Sequence, residues 1–421
     1  MGKCISLGNF NKNYKYMILY LIFRASNDCI YGFEYEDLYG NTFIFGEDVN
    51  NLFMNHALIN TIFCYIGIII LSIIVFKYEL YLKSKSSDNE NMINSLNSIR
   101  LIHNDPKNAL VFNESQIFLN IFLVIFLWVL EDLLINIILV NILKYTDFWS
   151  FKMLFTYLIG KKIFKFQVYR HQIFAIYFIS ILCSILLIIS FIISWLNDEN
   201  LNKNNPGFIS LGIIIYLIGL LIESFSNWDA KWLMDSKFIS SNKLLMCYGI
   251  LGFAINCFIC TITTFVECEN NPLDLCKAVK DGKRYLDSFE VYFEDFSKEK
   301  IIIIILYAIT SALKSFFYLL TIKHLTPFHI CSMPTIYYFF LHIALGIYTF
   351  AFDGEKIKNN LLKFILEIST CFLAFLAFSI FLEFIELNFC LFNFNLRKNI
   401  ERRSIRDSYN NYELNSSMTS E

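Results

Sequence analysis

Lys314 lies in the middle of an otherwise apolar run, Ile301–Ile322. Thr310, Ser311, Lys314, Ser315, Tyr318 and Thr321 follow i, i+3, i+4 and i+7 spacing along the run, so one face of a helix carries an ammonium and a line of hydroxyls. A charge at the centre of a membrane span costs about 2.5–3.5 kcal/mol. An isoleucine or leucine returns about 0.5 kcal/mol. The run Ile301–Leu306 can therefore carry Lys314 into a bilayer, provided the ammonium faces a cavity or a partner rather than lipid. Two chemistries fit it. One is an anchor for an anionic or nucleotide-linked solute. The other is an internal ion pair with a glutamate on a neighbouring span.

A second apolar run, Phe208–Ala230, holds Glu223 and Asn227 one turn apart, with Ser224 and Ser226 beside them. Glu223 suits a partner for Lys314, a carrier of a coupling proton or a structural bond. Arg24 and Asp28 stand at i, i+4 and read as a structural ion pair along their own helix, with Asn27 between them as a solute candidate. Glu131 and Asp132 are adjacent, so they should point about 100° apart and not share one cavity; Asp132 with Asn136 makes a polar stripe. Gly249, Gly252, Asn256, Cys260 and Thr263 form a small, polar helix face suited to close packing, with Asn256 its only ligand candidate. Pro334, inside another span, frees a backbone carbonyl, and Thr335 and Tyr338 flank the expected kink. The substrate-binding set is thus Lys314, Glu223, Asn227, Asn27, Ser311, Tyr318, Asn256, Thr335 and Tyr338.

These side chains need ten apolar elements to position them. The spans read as Tyr14–Phe33, Leu58–Phe76, Ile117–Val140, Phe148–Phe164, Ile173–Trp195, Phe208–Ala230, Leu244–Val266, Ile301–Ile322, Pro327–Phe350 and Leu362–Phe389. Each is near the roughly 20 residues that a helix needs to cross a bilayer. The composition agrees: 56% hydrophobic, 17% charged and a mean hydropathy of +0.50. The net charge of −2 argues against a nucleic-acid partner. The fold class is all-α, a polytopic membrane protein.

Charge gives the spans a direction. Lys3, Lys12, Lys15, the Lys77–Lys107 stretch, Lys161, Lys162, Lys165, Arg170, Lys231, Lys237, Lys243, Lys323 and the Arg397–Arg406 stretch fall on one side. The Glu34–Ala57 loop on the other side has no lysine or arginine. The positive-inside rule then places both termini in the cytoplasm. Residues 1–196 form a first five-span repeat, 197–206 a polar linker, 207–392 a second repeat, and 393–421 a cytoplasmic tail. Five spans per half invert the second half relative to the first, and substrate sites in such folds lie near the bilayer midplane.

The loops add smaller expectations. Lys77–Asn113 and the tail read as polar and flexible, and Tyr285–Phe296 as a short interfacial helix. Cys268 and Cys276, in the long Glu267–Lys300 loop, are a disulfide candidate if that loop faces an oxidising compartment. The start MGKCIS matches a myristoylation pattern at Gly2, with Cys4 placed for palmitoylation. The sequons at Asn113 and Asn415 fall on the cytoplasmic side and should carry no glycan. Glu383 and Glu386 read as interfacial or packing residues at the end of the last span.

Two stretches carry a family resemblance. ESFSNWDAKWLMDSKFISSNKLLMCYGILGF resembles the sixth-span exit, short cytoplasmic loop and seventh-span entry of the drug/metabolite transporter superfamily, near its nucleotide-sugar-transporter-like solute carriers. SALKSFFYLLTIKHLTPFHICSMP resembles their turn from the eighth span to the ninth. The resemblance implies alternating access, with a solute held between the halves.

The expectation is a secondary-active transporter of a small organic solute, in an endomembrane (Golgi, ER or vacuole) rather than the plasma membrane. The alternative is a non-transporting scaffold or receptor-like protein of the same fold. No histidine box, DxD or HxxxxD motif supports a membrane enzyme, and neither a cofactor nor a metal is expected. The expected partners are the solute, the lipid bilayer and, as a homodimer, a second copy of the chain.

Overall fold

The computed structural model describes residues 5–7, 12–31, 34–35, 40–41, 56–86, 114–134, 149–197, 206–268, 278–280, 282–294, 298–352, 361–387 and 399. In chain order the helices are α1 (Tyr14–Tyr31), α2 (Ala57–Ser86), α3 (Glu114–Leu134), α4 (Trp149–Lys162), α5 (Arg170–Asn197) and α6 (Pro206–Ser236). They continue with α7 (Ser241–Phe265), α8 (Phe289–Glu294), α9 (Lys298–His324), α10 (Pro327–Phe352) and α11 (Leu361–Phe381). Short strands join them: β1 (Ile5–Leu7), β2 (Glu34–Tyr35), β3 (Gly40–Asn41), β4 (Glu267–Cys268), β5 (Ala278–Lys280), β6 (Lys283–Tyr285) and β7 (Ile385–Leu387). Helix thus dominates the described residues. Three of its segments, Leu58–Leu82, Ser241–Phe265 and Lys300–His324, are long and apolar enough to cross a membrane.

The polarity of these helices is that of a membrane-embedded protein. On α2, Ile70, Ile74 and Phe76 are exposed while Asn60 and Ser72 are buried. On α7, Phe258 and Ile262 are exposed while Asn242 and Asn256 are buried. A bilayer rewards this arrangement, because lipid solvates the apolar face and backbone hydrogen bonds close within each helix.

The chain forms two compact units. The larger comprises residues 15–146 and 203–330. Within it α2 is central, packing against α7 and α9. Against α7 it runs antiparallel: Leu58, Ile59 and Ile62 share a cluster with Cys260, Tyr65 meets Tyr248, and Asn242 Nδ2 donates to the Ser72 carbonyl at 3.3 Å. Small residues permit the approach. A Cβ on Gly67 would stand 2.5 Å from the Ala308 carbonyl oxygen of α9, and one on Gly252 would stand 2.3 Å from the Tyr65 ring. In a bilayer, where water no longer drives helices together, such packing is a main source of association. Helix α1 lies antiparallel to α9, with Tyr16 stacked on His324 and Phe23 on Phe317 at centroid distances of 4.7 and 5.5 Å. Helix α3 packs on α6 and α7.

The loop before α9 is tied to the start of α2. Asp287, 1% exposed, accepts from the Leu58 and Ile59 amides at 3.1 Å each, which caps α2. Its other oxygen lies 2.7 Å from His56 Nδ1. Tyr292, on α8, donates to Asn60 Oδ1 at 3.0 Å. Burial, helped by the Asp287 charge, pushes the Tyr292 phenol above its ordinary value of 10.0, so it remains a donor through the neutral range. Helix α8 occupies part of the segment predicted to be helical over Tyr285–Phe296, and β4, β6 and β5 form a three-stranded sheet in that order.

The smaller unit comprises residues 1–14, 147–202 and 331–421. Helix α5 packs on α11 and on α4. Helix α11 stops at Phe381, short of the predicted Phe389, because Glu383 turns left-handed (φ 61°) and the Phe384 amide returns to the Ser379 carbonyl at 2.8 Å. A non-glycine residue in that conformation costs about 1 kcal/mol. The Glu383 carboxylate lies 3.2 Å from His171 Nε2, close enough for charge attraction although not aligned as a hydrogen bond. The chain then pairs as β7, antiparallel to β1, with Ser6 opposite Glu386.

The α2 boundary also differs from the expectation. The helix continues to Ser86, ten residues past the predicted Phe76, since Lys77–Lys85 contains good helix formers and no glycine or proline. Gly2, Cys4, Asn113, Asn415, Cys276, the Cys268 side chain, most of the 197–206 linker and most of the 393–421 tail lie outside the described residues.

Candidate functional site

The larger unit contains a cavity of about 220 Å³. Helix periodicity places its walls. Helix α2 contributes Thr61, Cys64, Tyr65 and Ile68; α3 contributes Trp128, Glu131 and Asp132; α9 contributes Tyr307, Ser311, Lys314, Ser315, Tyr318 and Leu319. All three sets follow i, i+3/i+4 spacing on one helix face. Tyr20 from α1, Glu223 from α6, and Leu245 and Tyr248 from α7 complete the wall.

Of the predicted substrate-binding set, Lys314, Glu223, Ser311 and Tyr318 line this cavity. Asn227 and Asn27 stand behind it. Tyr318 donates to Asn227 Oδ1 and, at 3.3 Å, to Glu223 Oε1, so Asn227 orients a wall residue. Ser311 donates to Asn27 Oδ1, as does Thr310 at 3.3 Å. Asn256 is not on the wall. It is fully buried, and its Nδ2 donates to the Gly252 carbonyl of its own helix at 3.0 Å. The Thr335, Tyr338 and Asp28 side chains lie outside the described residues; Arg24 donates to the Tyr20 hydroxyl at 3.4 Å.

The expectation that Glu131 and Asp132 cannot share a cavity does not hold. Both line it, because they flank Trp128 at i+3 and i+4 and the cavity meets α3 over an arc wide enough to take both. Asp132 is an acceptor for two tyrosines of the wall. Its Oδ2 accepts from Tyr65 at 2.9 Å and from Tyr248. Among the described residues no group of three His, Cys, Asp or Glu is arranged to hold a metal.

Aromatic rings make up much of the wall. Tyr65 and Tyr248 meet edge to face at 5.3 Å, Trp128 and Tyr248 at 5.5 Å, Trp128 and Tyr318 at 6.5 Å; Tyr20 tilts against Tyr318 at 5.6 Å. The Trp128 side chain is almost fully buried, and its Nε1 has no hydrogen-bond partner among the described residues. An orphaned donor on a polar cavity wall is a group that an occupant would satisfy. Sequence reasoning missed Tyr65, Trp128 and Tyr248. Their only available signal was the pairing of Trp128 with Asp132 at i, i+4, which puts an indole and a carboxylate on one face.

No protein-family model matches this chain, and no curated protein sequence matches it either.

Proposed function

We propose that the chain is a secondary-active transporter of a small organic solute, working by alternating access around this cavity. The observation that carries the reading is the cavity itself: a polar, aromatic chamber between apolar helices, with walls drawn from both halves of the chain. A helical protein in lipid has no structural need for three carboxylates and an ammonium around an internal space.

The helix pairing supports an inverted repeat of ten spans. Number the long helices as spans, omitting α8. Spans two and seven then pair, as do five and ten. Span two with eight is answered by seven with three, and span one with eight by six with three. Each of these pairings maps onto itself or onto another of them under a shift of five spans. Spans one to three group with six to eight, and four and five with nine and ten. Antiparallel runs of α2 with α7 and of α1 with α9 also suit alternate crossing of a bilayer. On this reading the protein is a solute carrier resembling the drug/metabolite transporter superfamily, with both termini cytoplasmic and residence in an endomembrane.

The test is uptake by the purified protein in liposomes, screened with a labelled metabolite mixture. Glu223→Ala is expected to slow the solute so found at least about tenfold, the equivalent of one lost charge-assisted contact. Lys314→Ala is expected to change the rate as well. Uptake unaffected by either substitution would remove both residues from the mechanism. A protein without any solute-dependent uptake would be the non-transporting scaffold instead.

A further inference from the structure

We infer that the solute carries a protonated amine, held by carboxylates against aromatic rings. This rests on the transporter reading for its context and adds the chemical class of the cargo. Three carboxylates, Glu131, Asp132 and Glu223, and one ammonium, Lys314, line the cavity, and the Arg24 guanidinium reaches the hydroxyl of Tyr20 on its wall, so the acids exceed the bases by one. When all are ionised, the wall carries a surplus of negative charge that helix packing alone does not require. An amine offsets it. An anion adds to it, and a nucleotide-linked solute, with its phosphates, adds most.

The neutral wall points the same way. Tyr20, Tyr65, Trp128, Tyr248, Tyr307 and Tyr318 surround the space. A cation over the face of a tyrosine or tryptophan is attracted by the ring quadrupole, most strongly where water is excluded. The edge-to-face contacts of Tyr65 and Trp128 with Tyr248 fix these rings as a rigid box rather than a loose lining. The two tyrosine hydroxyls on Asp132 Oδ2 hold its carboxylate in place beside the rings. Lys314 then has one of two roles. Beside a simple amine it offsets part of the acid surplus. Beside a zwitterion it binds the solute carboxylate, with the Trp128 Nε1 as a second donor.

Three molecules of similar shape separate these cases: phenethylamine (a cation), phenylalanine (a zwitterion) and 3-phenylpropanoate (an anion). Their equilibrium binding to the purified full-length protein would be measured, with folding followed by gel filtration, and uptake measured in liposomes. Phenethylamine or phenylalanine is expected to bind and phenylpropanoate not. Asp132→Asn or Glu223→Gln is expected to weaken the amine at least about tenfold. The second variant covers the case in which Asp132→Asn fails to fold. Lys314→Met tightening phenethylamine assigns a simple cation; Lys314→Met weakening phenylalanine assigns a zwitterion; both support the amine. Phenylpropanoate binding that is lost in Lys314→Met, or no binding by any of the three, overturns the proposal. Amine binding without uptake would leave the amine site standing and contradict the transporter reading.

Discussion

Asp287→Ala is expected to lower the apparent Tm of the detergent-solubilised protein by roughly 5 °C, from a stability loss of about 3 kcal/mol. The size follows from what the carboxylate holds. It lies 2.7 Å from His56, caps the Leu58 and Ile59 amides at 3.1 Å, and accepts from the Ser288 amide at 2.9 Å. Alanine leaves all of these groups buried and lacking that acceptor, and an unmet buried donor costs more than a met one returns. Asp287→Asn keeps an acceptor for the amides but loses the charge, so it should fall between. Equal Tm values for the wild type and the alanine variant would mean that the loop is not fastened to α2 in this way.

Gly252→Val is expected to abolish solute uptake and to destabilise the protein by about 1–3 kcal/mol. Even the first added carbon would stand 2.3 Å from the Tyr65 ring. Tyr65 has little room to retreat. It is 1% exposed, its hydroxyl is bonded to Asp132, and its ring meets Tyr248. Any shift therefore moves the acid and two rings of the cavity wall together. Gly219→Ala is the control, since a Cβ there meets nothing within 4 Å and alanine favours helix. Wild-type uptake by Gly252→Val would separate the α2–α7 contact from the function.

The site was legible where a polar stripe crosses an apolar helix. Ser311, Lys314, Ser315 and Tyr318 were found by spacing alone, because a charge and hydroxyls stand out in Ile301–Ile322. Tyr65 and Tyr248 were not, because a tyrosine within an apolar span reads as core until its hydroxyl is seen to meet an acid on another helix. The Asp287 cap was hidden for a related reason. It serves a helix start more than two hundred residues earlier in the chain, and no local pattern encodes that. Helix ends depended on single backbone choices: the left-handed turn at Glu383 ends α11 within a run that remains apolar. The general helical, membrane-embedded character was legible from composition, because it rests on summed hydropathy rather than on any one contact.

Cys64 offers the most direct test of the central claim, that this cavity opens to both sides of the membrane in turn. It is a free cysteine on the cavity wall. In a variant keeping Cys64 as its single cysteine, reconstituted in sealed vesicles of known orientation, a small membrane-impermeant methanethiosulfonate cation would be added to one face or the other. The account predicts modification of Cys64 from each face, with loss of uptake once it is modified. Modification from one face only, or from neither, would contradict it.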